Sequence, residues 1–382
     1  MIVRLHVEGS AGSLAIVAIC ALAAGCAAWL VRRYSPHATG SGIPHVEAEL
    51  HGRWSGNPLH IIPVKFVGGL LAIGAGLALG REGPSVQMGA SIGHLIGRMA
   101  RCNEKQCKAL LAAGAGAGLA TAFNAPIAGA VFVLEELARS FNLQITIATL
   151  GASASAIGAA RLLLGQAPDF HVAPLSYPGL GTFPVHIALG IIAGFLGVAY
   201  NLAIVGARQA TDRFSRYPVE FTAAAIGAVV GLLAWYAPGL VGSGDVITQQ
   251  MVGGARVAFM FGLIFLLRFL LGAVSYAART PGGLFAPMLV LGSQSGLLLG
   301  TLCVRWFPSA GTNPTAYAVV GIAALFTAVV RAPLTGIVLA VELTGSFTLL
   351  LPMLGACFAS MLVPTLLDNP PIYDSLRWDS DS

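Results

Sequence analysis

Apolar runs that are repeatedly cut short by Gly or Pro constrain this chain more than any other feature. The sequence is 56% hydrophobic and only 10% charged, whereas a soluble domain carries about 25% charged residues. Such a chain must be dissolved in a bilayer, and roughly a dozen apolar segments are visible along it. The 48 Gly and 21 Pro in 382 residues argue against a plain bundle of full-length spans. Broken helices survive at membrane depth only where they are buried in protein or line a cavity, which is the habit of transporters and channels. The expected class is therefore an all-α polytopic membrane protein.

Within that pattern, the stretch Gly80-Arg81-Glu82-Gly83-Pro84-Ser85-Val86 sits between apolar runs at 64–79 and 86–96. An ionisable side chain at that depth is costly and marks a functional site by default. Gly80 and Gly83 let the backbone turn sharply, and Pro84 suits the first turn of a helix, where its missing N–H costs nothing. A helix starting inside the bilayer aims free N–H groups and a positive dipole end into a cavity, an arrangement that binds anions. The plainer alternative is a re-entrant turn whose Glu82 caps its own helix.

The chain is internally duplicated. Gly40-Ser41-Gly42 recurs as Gly242-Ser243-Gly244, and Pro84, Gly89, Gly93 and Gly97 recur as Pro287, Gly292, Gly296 and Gly300, each 203 positions on. Ala125-Pro126, Gly129 and Glu135 recur as Ala332-Pro333, Gly336 and Glu342, each 207 positions on. The expected organisation is a first repeat over 1–165, a polar connector over 166–183, a second repeat over 184–367, and a C-terminal helix and tail over 368–382. The second half has two apolar segments before its Gly-Ser-Gly and the first half only one, so the first transmembrane helix of the repeat is expected to be missing.

Basic residues gather in short loops, at Arg32-Arg33, at Arg98, Arg101, Lys105 and Lys108, and at Arg208, Arg213 and Arg216. Positive charge in short loops marks the cytoplasmic side, so the net charge of +5 calls for no nucleic-acid partner. The six cysteines have no metal spacing; Cys20, Cys26, Cys303 and Cys357 are expected to pack in apolar segments, and Cys102 and Cys107 to stay reduced. No cofactor or metal is expected.

Four stretches offer helix starts or hydroxyls to one pocket: Gly40-Ser41-Gly42-Ile43-Pro44, the Glu82 motif, Pro281-Gly282-Gly283-Leu284-Phe285-Ala286-Pro287, and Tyr373 after Pro370-Pro371. Backbone N–H groups and hydroxyls can hold a dehydrated anion, each helix end contributing about half a charge. A fixed Lys or Arg at that pocket would bind too tightly for release. Taken singly, Ser41 reads as a cap and Tyr373 as an interface anchor.

In this order, Gly-Ser-Gly-Ile-Pro, Gly-Arg-Glu-Gly-Pro, Gly-Gly-Leu-Phe-Ala-Pro and the late tyrosine resemble the signatures of CLC chloride channels and transporters, over residues 13 to 377. The resemblance implies two inverted-topology repeats, a homodimer and one anion pathway per subunit, in a cell inner (plasma) membrane. Carried over by position, Ser41 and Tyr373 are chloride ligands, with Gly40 beside them and the backbone amides of Leu284 and Phe285. Glu82 is the gate, flanked by Arg81 and Gly83, and Glu136 of the Glu135-Glu136 pair is the inner proton glutamate. Two acids on partly separate routes imply exchange of chloride for protons rather than a passive chloride channel, since an isolated membrane acid is seldom idle. At Glu135 or Glu136 the plain alternative is a carboxylate facing water at a helix end. A fluoride/proton antiporter is the nearest rival within the family.

Two positions depart from the family pattern. His45 stands where relatives usually have an acid, and Arg279 precedes the Gly282 motif, where it is expected to snorkel. The faces around Gly190, Gly194 and Gly197 would suit a subunit interface. From another class, Gly242-Ser243-Gly244-Asp245 with Tyr373-Asp374 resembles intramembrane aspartyl proteases, but the two motifs stand in the wrong order.

Overall fold

The computed structural model describes residues 10–53, 56–165, 170, 172–175, 179–213, 216–254, 260–306 and 313–377. Within the expected connector, 166–169, 171 and 176–178 lie outside the described residues, as do residues 378–382. The first half contributes α1 (Ser10–Tyr34), α2 (Ile43–Leu50), α3 (Pro58–Gly74), α4 (Glu82–Met99) and α5 (Glu104–Phe123). It continues with α6 (Pro126–Phe132), which runs into a π-helical turn (Val133–Leu137), and α7 (Leu143–Leu164). In the second half are α8 (Phe183–Asp212), α9 (Val219–Tyr236), α10 (Asp245–Val252), α11 (Phe261–Ala277) and α12 (Phe285–Trp306). After these come α13 (Pro314–Val330), α14 (Pro333–Thr344), α15 (Leu350–Leu366) and α16 (Ile372–Ser375).

Six helical segments among the described residues are long and apolar enough to cross a bilayer, and four shorter apolar helices lie between them. Three of the short ones begin at a proline. Pro58, Pro314 and Pro333 open α3, α13 and α14, where the missing N–H is harmless, and Asn57 and Asn313 accept from the next amides as caps.

At the centre is α13, buried from Thr315 to Val330. Glycine lets its neighbours approach closely. A Cβ at Gly89 of α4 would fall on the carbonyl of Gly114 in α5, and one at Gly114 on that of Gly89. The duplicated pair Gly292 of α12 and Gly321 of α13 repeats that contact. Outward-facing Leu14, Leu22, Phe195, Leu202, Leu266, Phe358 and Leu362 provide the apolar exterior that hydrocarbon requires.

Three expectations need correction. Gly190 packs on Ala356, Gly194 on Ser360 and Val363, and Gly197 on Ala328, so these glycines seat α8 on α15 and α13 of the same chain. Cys26 is exposed on α1 instead of packing, although all six cysteines are free as expected. Arg279 forms an ion pair with Asp212 at the end of α8 and does not simply snorkel.

Candidate functional site

Three chain interruptions are stitched together by backbone hydrogen bonds. Gly80 and Gly283 exchange both bonds of an antiparallel bridge, at 2.8 and 2.7 Å. Gly40 donates to the Thr280 carbonyl at 3.1 Å and accepts from Gly282 at 2.9 Å. These are the only two β-bridges among the described residues, and they join the Ser41, Glu82 and Phe285 segments into one knot. Their unpaired backbone groups would be costly in lipid, and the bridges satisfy them.

The knot is tight at Gly83. A Cβ there would lie 2.8 Å from the Cβ and the carbonyl oxygen of Ser41. Gly42 occupies the left-handed region with φ of 79° and starts α2, so Ser41 is presented at a helix N-terminus. Ser41 is fully buried, and its Oγ accepts from the Ile43 amide at 3.3 Å, leaving its proton available to an anion.

Glu82 is the first residue of α4 and only 3% exposed. Its carboxylate folds back over Gly80, where a Cβ would collide with Oε2, and it faces its own amide and that of Ala286 in α12. Oε2 has no hydrogen-bond partner. The self-capping alternative is thus partly realised, yet the same carboxylate also faces the start of a second helix. Arg81 is exposed beside it and makes no side-chain cap. Leu284 and Phe285 are fully buried at the start of α12. The Phe285 ring lies 5.4 Å from that of Phe132, 5.0 Å from Phe326 and 6.5 Å from Tyr373. Tyr373 is fully buried and its hydroxyl has no hydrogen-bond partner among the described residues. The knot therefore brings Ser41, Glu82, Phe285 and Tyr373 together, with two buried polar atoms left unpaired, as a site awaiting a small anion or a proton would have.

The two neighbouring glutamates have different surroundings. Glu135 accepts from the Leu334 and Thr335 amides at 3.0 and 2.7 Å and from the Thr335 hydroxyl at 2.8 Å, capping α14. It does not merely face water. Its counterpart Glu342 caps α6 in return, accepting from Ile127 at 3.1 Å and Ala128 at 2.7 Å. Glu136 is buried beside them, and its Oε1 lies 3.6 Å from Arg139 without a hydrogen bond.

Sequence reasoning missed two buried cations. Lys65 on α3 is fully buried and donates to the carbonyls of Ala38, Thr39 and Gly40 at 3.1, 3.4 and 2.8 Å. Arg268 on α11 is its counterpart 203 positions on, and it holds Leu240, Gly242 and Ser243 at 3.1, 2.9 and 2.9 Å. The hydrogen bonds of Lys65 go to the loop that precedes Ser41. A lone Lys within an apolar run was the signal available. Tyr276, whose hydroxyl is 3.5 Å from the Ser41 amide, carried none.

Beside the knot lies a cavity of about 260 Å³ lined in part by Arg32, His37, His45, Arg208, Tyr276 and Arg279. Arg32 is paired with Glu220 at 2.7 Å, and the His45 and His37 rings meet edge to face at 5.5 Å. The protease alternative loses its geometry: Asp374 is engaged by Arg139 at 2.7 Å and Asp245 by the Ser243 hydroxyl at 2.8 Å.

Residues 18–365 match the voltage gated chloride channel family. The chain belongs to that family. It is 38% identical to the H(+)/Cl(-) exchange transporter ClcA of Vibrio cholerae serotype O1 (strain M66-2), over 95% of this chain and 79% of that protein. It is 37% identical to the transporter of the same name from Yersinia pestis bv. Antiqua (strain Angola), over 91% and 74%. Among solved structures, a slow cyanobacterial Cl-/H+ antiporter superposes with a TM-score of 0.91 at 33% identity, covering 96% of this chain and 87% of that one. A CLC-type fluoride/proton antiporter shares the fold, with a TM-score of 0.81 at 22% identity. The CLC architecture of broken helices in two inverted repeats accounts for the knot, because paired interruptions meet where the repeats face each other.

Proposed function

We propose that this CLC protein exchanges chloride for protons across a cell inner membrane, as the names of its relatives describe for them. Chloride is held by the Ser41 and Tyr373 hydroxyls and by the amides of Leu284 and Phe285, with Gly40 shaping the loop. Glu82 is the gate: charged, it occupies an anion position; protonated, it withdraws and lets chloride pass. Glu136 passes the proton on the basic, cytoplasmic side. Arg81 and Gly83 support Glu82 from either side, and Glu135 supports the site by capping α14.

The working unit is read as a homodimer. Its chain divides into repeats at 1–165 and 184–367 around the connector 166–183, and Tyr373 of the C-terminal segment 368–382 completes the site. The observation that carries this reading is the buried convergence of Ser41, Glu82 and Tyr373, with the Glu82 Oε2 and the Tyr373 hydroxyl unpartnered. Such groups persist when a ligand or a proton completes them.

Reconstitution in liposomes tests it. An imposed chloride gradient should drive protons uphill, and chloride flux without proton movement would make the protein a passive channel. Fluoride carried far faster than chloride in the same vesicles would move the assignment to the rival anion.

A further inference from the structure

Four side chains outside the knot form a closed ionic ring. Arg377 donates to both carboxylate oxygens of Glu47, through Nε at 2.9 Å and through Nη2, and also lies 2.9 Å from Asp374. Arg139 donates to Asp374 at 2.7 Å and lies 3.6 Å from Glu47. Each acid therefore meets both guanidinium groups. The ring joins three places that matter. Glu47 is on α2, six residues after Ser41; Asp374 adjoins Tyr373 on α16; and Arg139 follows Glu136 by three residues. Glu47 is the most buried member, with a side chain 5% exposed.

Charge makes the ring more than a strut. Two guanidinium groups and two carboxylates balance, and arginine does not lose its proton. The carboxylate of Glu136 is then the odd charge, 3.6 Å from Arg139. Arg139, Asp374 and Glu135 are the charged groups acting on Glu136. While Glu136 is ionised, three carboxylates share Arg139. When Glu136 takes a proton, the pull of its carboxylate vanishes; Arg139 keeps its Nε bond to the Glu136 carbonyl at 3.4 Å, and its remaining charged partners are Glu47 and Asp374. That draws α16 towards α2, and with them Tyr373 towards Ser41.

We propose that the Glu47–Arg139–Asp374–Arg377 ring transmits the charge of Glu136 to the two hydroxyls that hold chloride, with Arg139 as the positioning residue. The inference rests on the exchanger reading above. Protonation of Glu136 favours chloride binding, and by linkage bound chloride raises the proton affinity of Glu136 by the same factor.

A double-mutant cycle on the full-length protein tests it, with chloride Kd measured by calorimetry. Glu136→Gln, which mimics the protonated acid, should tighten chloride by about fivefold or more, the lower end of typical coupling between sites. With Asp374→Asn, which cuts the ring beside Tyr373, the same Gln substitution should leave Kd unchanged. Equal tightening in both backgrounds would mean plain through-space electrostatics, and no tightening in either would mean no link; each overturns the proposal. Arg377→Gln cuts the ring at its other side and replaces Asp374→Asn if that variant does not yield folded protein. Proton flux in Glu136→Gln separately reports on the exchanger reading: if it persists at full rate, the role of Glu136 fails whatever the cycle returns.

Discussion

The two halves of the molecule agree in their scaffold and differ in their chemistry. Gly89 against Gly114 is matched by Gly292 against Gly321, Lys65 by Arg268, and the Glu135 cap on α14 by the Glu342 cap on α6. The groups proposed to handle ions break the match. At 203 positions beyond Glu82 stands Phe285, and at 207 beyond Glu136 stands Leu343. Ser41 is buried in the knot, whereas its counterpart Ser243 is turned to Asp245. Duplication supplies a frame of close helix contacts and closed-off backbone, and the site arises where one copy departs from the other.

Substitutions that exchange residues between the copies sharpen this contrast. Glu82→Gln removes the carboxylate of the knot, so uphill proton flux in liposomes should fall by about 100-fold, the scale of a lost proton-transfer group, while chloride still moves. Coupled proton flux at the wild-type rate would break the contrast at its centre. Glu136→Leu, which installs the residue of the other copy, should reduce proton flux by about tenfold with chloride flux largely kept, because a substitute route through water is slower. Equal loss of both fluxes would make Glu136 part of the frame.

Ser41→Ala and Tyr373→Phe should each weaken chloride binding by about 10- to 150-fold in calorimetry, the value of one hydrogen bond to a charged partner. The control Ser243→Ala should leave affinity unchanged. Glu135→Ala and Glu342→Ala should behave alike, each lowering stability by about 1–3 kcal/mol as a cap is lost, seen as a lower melting temperature in detergent. If only Glu135→Ala altered proton coupling at unchanged stability, the symmetric pair would have to be divided. Lys65→Met and Arg268→Met form the last comparison. Each leaves buried carbonyls unsatisfied and should cost about 1–3 kcal/mol, again as a drop in melting temperature.

Much of this was legible in one dimension. The interrupted apolar runs predicted broken helices, and Pro58, Pro314 and Pro333 begin three of them. The ordered Gly-rich motifs pointed to Ser41, Glu82 and Phe285, which the backbone bridges bring together. Only the family resemblance separated Glu136 from Glu135; their local chemistry did not, since adjacent carboxylates on a helix look alike until their partners are known. The partners of Glu135 stand 199 and 200 residues away, and those of Glu342 stand 215 and 214 away. Lys65 was overlooked because its three carbonyls belong to a loop about two dozen residues earlier, with no pattern to announce the contact. Gly190, Gly194 and Gly197 were assigned to the wrong surface for a related reason: small residues permit close approach without naming the neighbour.

By itself the amino-acid order determined the solvent, the places where helices stop, and the duplication, because each follows from transfer energies and local backbone preference. Tertiary structure alone decided which acids are tied to helix ends, which hydroxyl and carboxylate oxygens stay unpaired, and which arginines share their charges. Hydrogen-bond satisfaction in a medium without water depends on what arrives from the far half of the chain.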